Sequence, residues 1–497
     1  MTKPTNINKI IFSILLVIYF ILVTKPWSLY FLNDDFVHIP LSAETVWIHF
    51  QFFRPVANLL TAFEVKVFDT NPLGFHITSF LLHLASTFCV GVLCRELIRK
   101  YGNTIKYKHA DYAAACLFFI YPFHSEPVMW IIGRIGIIAT LFSLVSIIFF
   151  MKQPLRPYFY VLSILSFIIA LFSYEIAWMV PVFITVLTLV DYYKTREYLN
   201  KRVFYLLPYW FLLAAFIFIR YIALQQVFNE YVMRESNLSI TSLTGKFSHL
   251  LARTVVPPAE NTIEFVIIFF IIGLVLLGLI IFMARRKAIT ILHLLLASFL
   301  VISYLPVVSI GIDTHGSEGE RYLYLPSVFW IMLLTILLYG LSQKIRKYGF
   351  CVIIVIYSLL LKNAASNYQH ASLIAKNILS LIDNHPVSEK IIAINIPANY
   401  KGAMIFRSGF KEAIDWIHPH AYTDSVIVIP ADRTYDKISL RIKNVAKNEL
   451  NRIGLKAITT DNKNYTLYFK TYVIQYNSQK DILLFFNEKG EAIVIYP

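Results

Sequence analysis

The sequence predicts a polytopic α-helical membrane protein with a small C-terminal α/β domain. Composition is the first observation: of 497 residues, 57% are hydrophobic and only 15% are charged. A soluble domain carries less apolar and more charged residue than this. Apolar runs of membrane-spanning length, recurring down the chain, are the second. The third is a sharp change of composition after residue 362, where the apolar runs give way to short β-rich ones. The expected division is therefore 1–362 in the membrane and 363–497 outside it.

The apolar runs give about eleven transmembrane helices, at 10–31, 73–94, 110–123, 132–151, 157–173, 176–191, 203–224, 263–284, 288–309, 321–341 and 349–362. No small-residue cleavage site follows the first, so it reads as a retained signal anchor. Residues 365–385 read as a further helix. Beyond it, Ile391–Ile396, Ser425–Ile429, Tyr465–Tyr476 and Ile482–Phe486 read as strands. Helical stretches near 407–418 and 436–452 alternate with them, which suggests an α/β or α+β domain. Its length is enough to bury a core of its own.

A net charge of +15 on a soluble protein would suggest nucleic acid. Here the basic residues gather at alternate span ends: Lys3 and Lys9, Arg95 to Lys108, Lys152 and Arg156, Lys194 to Arg202, Arg285 to Lys287, and Lys344 to Lys347. This is positive-inside patterning, and it argues against nucleic acid as a partner. It puts the N-terminus in the cytoplasm. It puts Asp34, Asp35, the 124–134 segment, Glu175, the 225–262 loop, the 313–321 segment and the C-terminal domain outside. Cys89, Cys94, Cys116 and Cys351 lie in or beside apolar spans, as small packing residues do.

Two outer loops are long enough to be ordered. In 32–72, Trp47, Phe50, Phe52, Phe53, Phe63 and Phe68 stand among polar residues, a mixture suited to helices lying in the interface plane. The 225–262 loop ends in Pro257-Pro258. Sequons stand at Asn237 and Asn464. The chain shows neither internal repeats nor low-complexity tracts.

The chemistry-bearing candidates gather on the outer side. Asn33-Asp34-Asp35 places two adjacent carboxylates just beyond the first span. One can act as a general base while the other orients it or holds a cation, and adjacency raises the pKa of such a pair. The same triplet also suits a solvated turn. His124-Ser125-Glu126-Pro127 is followed by Gly133-Arg134, a cluster that can bind substrate or remain solvated, with Arg134 snorkelling. Glu175 sits between two apolar runs with almost no loop, at a depth where an acid suggests function, or else at an exposed hairpin turn. Glu318, Glu320, Arg321, Tyr322 and Tyr324 open the tenth span. An arginine there can grip a phosphate, aided by the helix dipole, or anchor the helix at the interface. Arg54-Pro55 and the pair His76 and His83 complete the set. Seven apart, the two histidines share a helix face, and packed histidines suit this spacing better than metal ligands do.

In this order the residues resemble the GT-C glycosyltransferases, and within them the protein O-mannosyltransferase group, which includes the animal transmembrane and TPR-repeat mannosyltransferases and their bacterial relatives. The resemblance runs through Asp34-Asp35, Phe53-Arg54-Pro55, Asn71-Pro72-x-Gly74-Phe75-His76 leading to His83, Tyr121 to Val128 with Gly133-Arg134, Tyr174-Glu175, and Glu320 to Ser327. It covers about 330 residues. There are departures. The group often has an acid where Gly136 stands and a lysine where Tyr174 stands. No TPR array follows the membrane part; instead Ile396 to Ala403 looks like bacterial members.

The resemblance implies an inverting glycosyltransferase. The donor would be a polyprenyl-phosphate sugar in the same bilayer, and the acceptor a protein, glycan or lipid hydroxyl on the outer side. Asp34 or Asp35 would be the catalytic base. Arg321, with Arg134, would offset the charge of the leaving phosphate. Arg54, His76, His124, Glu126, Glu175, Glu320 and Tyr322 would bind or orient substrate. The chemistry admits a divalent metal but requires no cofactor. The implied location is the bacterial inner membrane, or the endoplasmic reticulum membrane in a eukaryote. Two other classes fit a polytopic bundle: a transporter or flippase of lipid-linked sugars, and a non-catalytic assembly subunit. A transporter would show repeats or polar breaks near the midplane.

Overall fold

The computed structural model describes residues 6–195, 203–227, 239–383, 390–417, 425–431, 439–443, 456–459, 463–486 and 491–495. Asn237 and most of the 436–452 stretch lie outside them. The chain forms two compact units. The first holds residues 1–24, 42–67 and 74–365. The second holds 25–41, 68–73 and 366–497. The short segments 25–41 and 68–73 thus group with the C-terminal residues.

The first unit is helical. A helix stands at each of the eleven stretches read as spans. Among the described residues, 8 are long and apolar enough to cross a membrane. Three more, Ala110–Phe119, Tyr158–Leu171 and Ile291–Tyr304, are apolar but shorter. Burial sorts the long ones. In Glu320–Tyr339, 89% of the most apolar stretch is buried, against 6% in Thr262–Arg285. A helix that is apolar all round and still exposed suits a lipid surrounding. The central helix is held by aromatic packing: Phe329 lies 5.1 Å from Phe183 and 5.2 Å from Phe299, ring centre to ring centre. A second cluster joins Phe53, Phe167, Leu171, Val180, Ile184, Tyr209 and Phe216.

Within the 32–72 stretch two helices form, α1 at Asp35–Glu44 and α2 at Pro55–Phe68. Trp47, Phe50 and Phe63 are exposed, as residues meeting an interface would be. Helix Ile240–Arg253 occupies part of the 225–262 loop. The last span and the helix expected after it are one continuous helix, Gln343–Asp383. Lys362 to Ser366 contain no Gly or Pro to break it.

In the second unit, Lys390–Ile396 (β1), Ser425–Pro430 (β2), Ser439–Lys443 (β3), Asp481–Phe486 (β4) and Glu491–Ile495 (β5) form one mixed sheet in the order β2-β1-β4-β5-β3. β1 pairs parallel with both β2 and β4, while β5 runs antiparallel to β4 and parallel to β3. All six residues of β4, and all of β1 but Lys390, are buried. Their near-continuous apolar runs are what strands covered on both faces require. Lys456–Thr459, Asn464–Phe469 and Tyr472–Asn477 form a separate antiparallel sheet. Ile392, Ile394, Leu483 and Phe485 share a core with Leu467, Ile474 and Tyr476 of that sheet. Ser439–Lys443 corrects the helix expected near 436–452: pairing with Glu491–Ile495 outweighs its local propensity. The helix expected near 407–418 is Phe410–Ile417.

Candidate active site

Four carboxylate–arginine groups of the first unit contain residues singled out in the sequence. Each is anchored where a helix starts or where the chain turns sharply between apolar segments. Glu175 follows the turn after Tyr158–Leu171. Its carboxylate accepts from Arg54 at 2.9 and 3.2 Å and from Arg220 at 2.9 Å. Arg54 also stacks on the rings of Phe52 and Tyr174, 4.3 and 4.7 Å from their centres. Glu126 lies in the short helix Ser125–Met129. One of its oxygens accepts the backbone N–H of Arg321 at 2.7 Å, and the other pairs with the Arg321 guanidinium. That guanidinium also donates to the Tyr322 hydroxyl at 2.9 Å and lies over the Trp130 ring at 5.3 Å.

Tyr174, under the Arg54 guanidinium, is electrostatically coupled to both groups. It feels the charges of Tyr322, Arg321, Arg54 and Glu175. Burial, with the Tyr322 hydroxyl next, pushes its phenol above the ordinary range, while the two arginines oppose the shift. It is therefore a neutral hydroxyl at physiological pH. Arg54, Glu175 and Arg321 keep side-chain exposures of 16, 19 and 19%, whereas Glu126 keeps 3% and Arg220 3%. The partly open face of the cluster is thus made by Arg54, Glu175 and Arg321, with buried partners behind them. Gly136, where the resembled group often has an acid, packs on Arg321: a β-carbon there would stand 3.1 Å from the Arg321 carbonyl oxygen.

The other two groups are closed. Arg134, at the turn Ile132–Arg134, pairs with Glu64 and donates to Thr61 Oγ1 at 3.2 Å and the Phe75 carbonyl at 3.3 Å. Both charged side chains are almost wholly buried. Glu320 accepts from Arg253 at 2.7 Å and from the Ser125 hydroxyl at 2.8 Å, again in full burial. His124 is buried among Phe118, Tyr121 and Tyr324, with Nε2 2.8 Å from Ser327 Oγ. Burial, with His83 next to it, holds its ring well below the usual imidazole pKa. His76 is also buried. His83 is a packed histidine between the Tyr324 hydroxyl (2.7 Å) and the Phe119 carbonyl (3.0 Å).

The tandem acids belong to the second unit, and the structure gives them different surroundings. Asp35 is fully buried. Its Oδ2 accepts the Leu32 N–H at 3.0 Å and so closes the turn that starts α1. Asp34 is half-buried, and its backbone carbonyl accepts from Val37 and His38, the first turn of the helix. Its Oδ1 accepts the Ser408 hydroxyl. Asn33, buried and at φ 50°, fixes the turn from the other side. Its N–H donates to the Ile405 carbonyl at 2.7 Å, and its Oδ1 accepts the Ser408 N–H at 2.9 Å.

Glu64, Arg220, Arg253 and Ser408 escape the sequence reading. Arg220 had a signal: it interrupts the apolar run Phe216 to Ala223, where a charge needs a partner. Glu64 is the one acid on the largely apolar helix Pro55–Phe68. Ser408 gives no local signal, because its partner lies 374 residues away. Among the described residues, no group of three or more His, Cys, Asp or Glu side chains is placed to hold a metal ion.

No known family model matches the chain. A stretch of 115 residues, 23% of the chain, is 29% identical to a protein O-mannosyl-transferase of Caenorhabditis elegans. Among solved structures, the chain is similar to ArnT from Cupriavidus metallidurans, crystallised bound to undecaprenyl phosphate. That similarity has a TM-score of 0.47 at 10% identity, over 84% of this chain and 89% of that one. The matched stretch spans 16% of the length of the Caenorhabditis elegans protein.

Proposed function

We propose that this chain is an inverting membrane glycosyltransferase that moves a sugar from a polyprenyl-phosphate donor to a hydroxyl acceptor. One observation carries the proposal. Of the three residues in the Asn33-Asp34-Asp35 turn, Asn33 and Asp35 are buried, and Asp34 alone presents a half-buried carboxylate. The local likeness to a protein O-mannosyl-transferase supports it. Asp34 takes the proton as the acceptor oxygen attacks the anomeric carbon. The bond from that carbon to the phosphate oxygen breaks, its electron pair leaves with the lipid phosphate, and the anomeric configuration inverts. Arg321 and Arg54, partly exposed, supply fixed positive charge for the phosphate, the need of such a transition state. Glu126, Glu175 and Tyr322 hold those guanidinium groups in place.

The positive-inside pattern supports an N-terminus in the cytoplasm and Asp34 on the outer face, in a bacterial inner membrane or, in a eukaryote, the endoplasmic reticulum membrane. A protein, glycan or lipid on that face is the acceptor. The step needs no metal, since arginines suffice for a monophosphate leaving group. The test is transfer by the full chain in liposomes, with a radiolabelled polyprenyl-phosphate sugar as donor. Label should move with the wild type and cease with Asp34→Asn. Transfer that persists in that variant would remove Asp34 as the base.

A further inference from the structure

Resting on Asp34 as the base, we propose that Ser408, from the C-terminal residues of the chain, is a positioning residue that holds the Asp34 carboxylate for catalysis. A carboxylate on a half-buried turn has a broad terminal torsion and can present either oxygen to a substrate. Ser408 removes that freedom. Its hydroxyl lies against two acceptors, Asp34 Oδ1 and, at 3.1 Å, Asn33 Oδ1. It has one proton to give. Asn33 Oδ1 already accepts the Ser408 N–H at 2.9 Å, and the charged acceptor forms the stronger bond. The proton therefore goes to Asp34. Oδ2 of Asp34 carries no hydrogen bond among the described residues, which leaves it to receive the acceptor's proton.

The backbone around Ser408 is built to hold this contact. Gly409 follows it at φ +80° and lies against the Asn33 carbonyl. The Asn33 N–H reaches back to Ile405. Phe36 stacks on Phe406, with ring centres 5.6 Å apart, so the two segments are pinned on both sides of the Asp34–Ser408 contact. An accessory domain that served only for acceptor capture would have no reason to hydrogen-bond the base. Here the segment after the last long helix completes it.

The experiment compares Ser408→Ala, Ser408→Thr and Asp34→Asn in full-length protein in liposomes. Radiolabelled polyprenyl-phosphate mannose is the donor probe and a serine-rich peptide the acceptor probe. With Ser408→Ala, kcat should fall about tenfold to a hundredfold while KM for the donor stays within about twofold, because the lost bond orients the base and does not touch the lipid. Ser408→Thr, which keeps the hydroxyl, should restore most of kcat. A Ser408→Ala protein with wild-type kcat, beside an inactive Asp34→Asn protein, would overturn the role of Ser408 and leave Asp34 as the base. Equal loss of activity in Ser408→Ala and Ser408→Thr would overturn that role too. An active Asp34→Asn protein would instead overturn the base assignment on which the role of Ser408 rests, and a wild type that moves no label would overturn the transfer reading beneath both.

Discussion

Gly409 lies so close to Asn33 that a β-carbon on it would stand 2.6 Å from the Asn33 carbonyl oxygen. No real β-carbon tolerates that distance, and the φ of +80° at Gly409 disfavours any side chain as well. Gly409→Ala is therefore expected to push the 405–409 turn off the Asn33-Asp34 turn, at a cost of about 1–3 kcal/mol. Hydrogen exchange checks this at the amides of Asn33 and Ser408, which are bonded across the contact and should exchange faster in the variant. Unchanged protection there would show that the two turns are not coupled.

The two adjacent aspartates should respond differently to the same substitution. Asp34→Asn should lower turnover by about 10²–10⁴-fold with little change in thermal stability, the loss typical of a general base. Asp35→Asn should leave turnover nearly unchanged, since its amide oxygen still accepts the Leu32 N–H, whereas Asp35→Ala, which removes that buried acceptor, should destabilise by about 1–2 kcal/mol. Turnover and unfolding measured on the same preparations separate the two. Equal turnover losses in both would argue against the division of roles.

Arg134 and Glu64 form a closed pair with almost no exposure. Arg134→Leu should cost about 3–5 kcal/mol, since it strands a buried carboxylate. The double variant Glu64→Leu/Arg134→Leu should recover a large part of that loss, because two apolar residues replace two charges that had to be desolvated. Thermal unfolding in detergent reads both. If the double variant also retains transfer, Arg134 supports the fold and does not grip the phosphate.

His124 predicts an acid sensitivity. Its folded pKa lies well below the 6.5 of a free imidazole, chiefly through burial. The neutral ring's contribution to stability is therefore complete above about pH 6.5 and is lost progressively as pH falls toward the folded value. Unfolding temperature should drop between pH 7.5 and 5.5, and His124→Gln should drop less over the same interval. An identical slope in both proteins would place the acid sensitivity elsewhere.

Much of the helical part is legible because a membrane imposes a one-dimensional constraint. Each span must be long, apolar and uninterrupted, and all eleven stretches read that way contain helices. Where reading failed, a partner distant in sequence decided the outcome. Ser439–Lys443 is a strand because Glu491–Ile495 is there to pair with it. Gln343–Asp383 is one helix where two were expected, since polarity changes at residue 362 but the backbone meets no breaker.

The candidate site shows the same division. The sequence by itself singled out Asp34, Asp35, Arg54, Glu126, Glu175 and Arg321 as candidates, because charged side chains beside apolar spans are costly and stand out against them. It could not tell Asp34 from Asp35. Only the tertiary structure buried one under the Leu32 amide and left the other half-buried beneath a serine 374 residues away. Nor could it assign partners to the acids: Arg220 for Glu175, Arg253 for Glu320 and Glu64 for Arg134 were fixed by packing. The physical reason is the same in each case. The presence of a charge is written locally in the chain, whereas the group that neutralises it is chosen by which backbones the fold brings together.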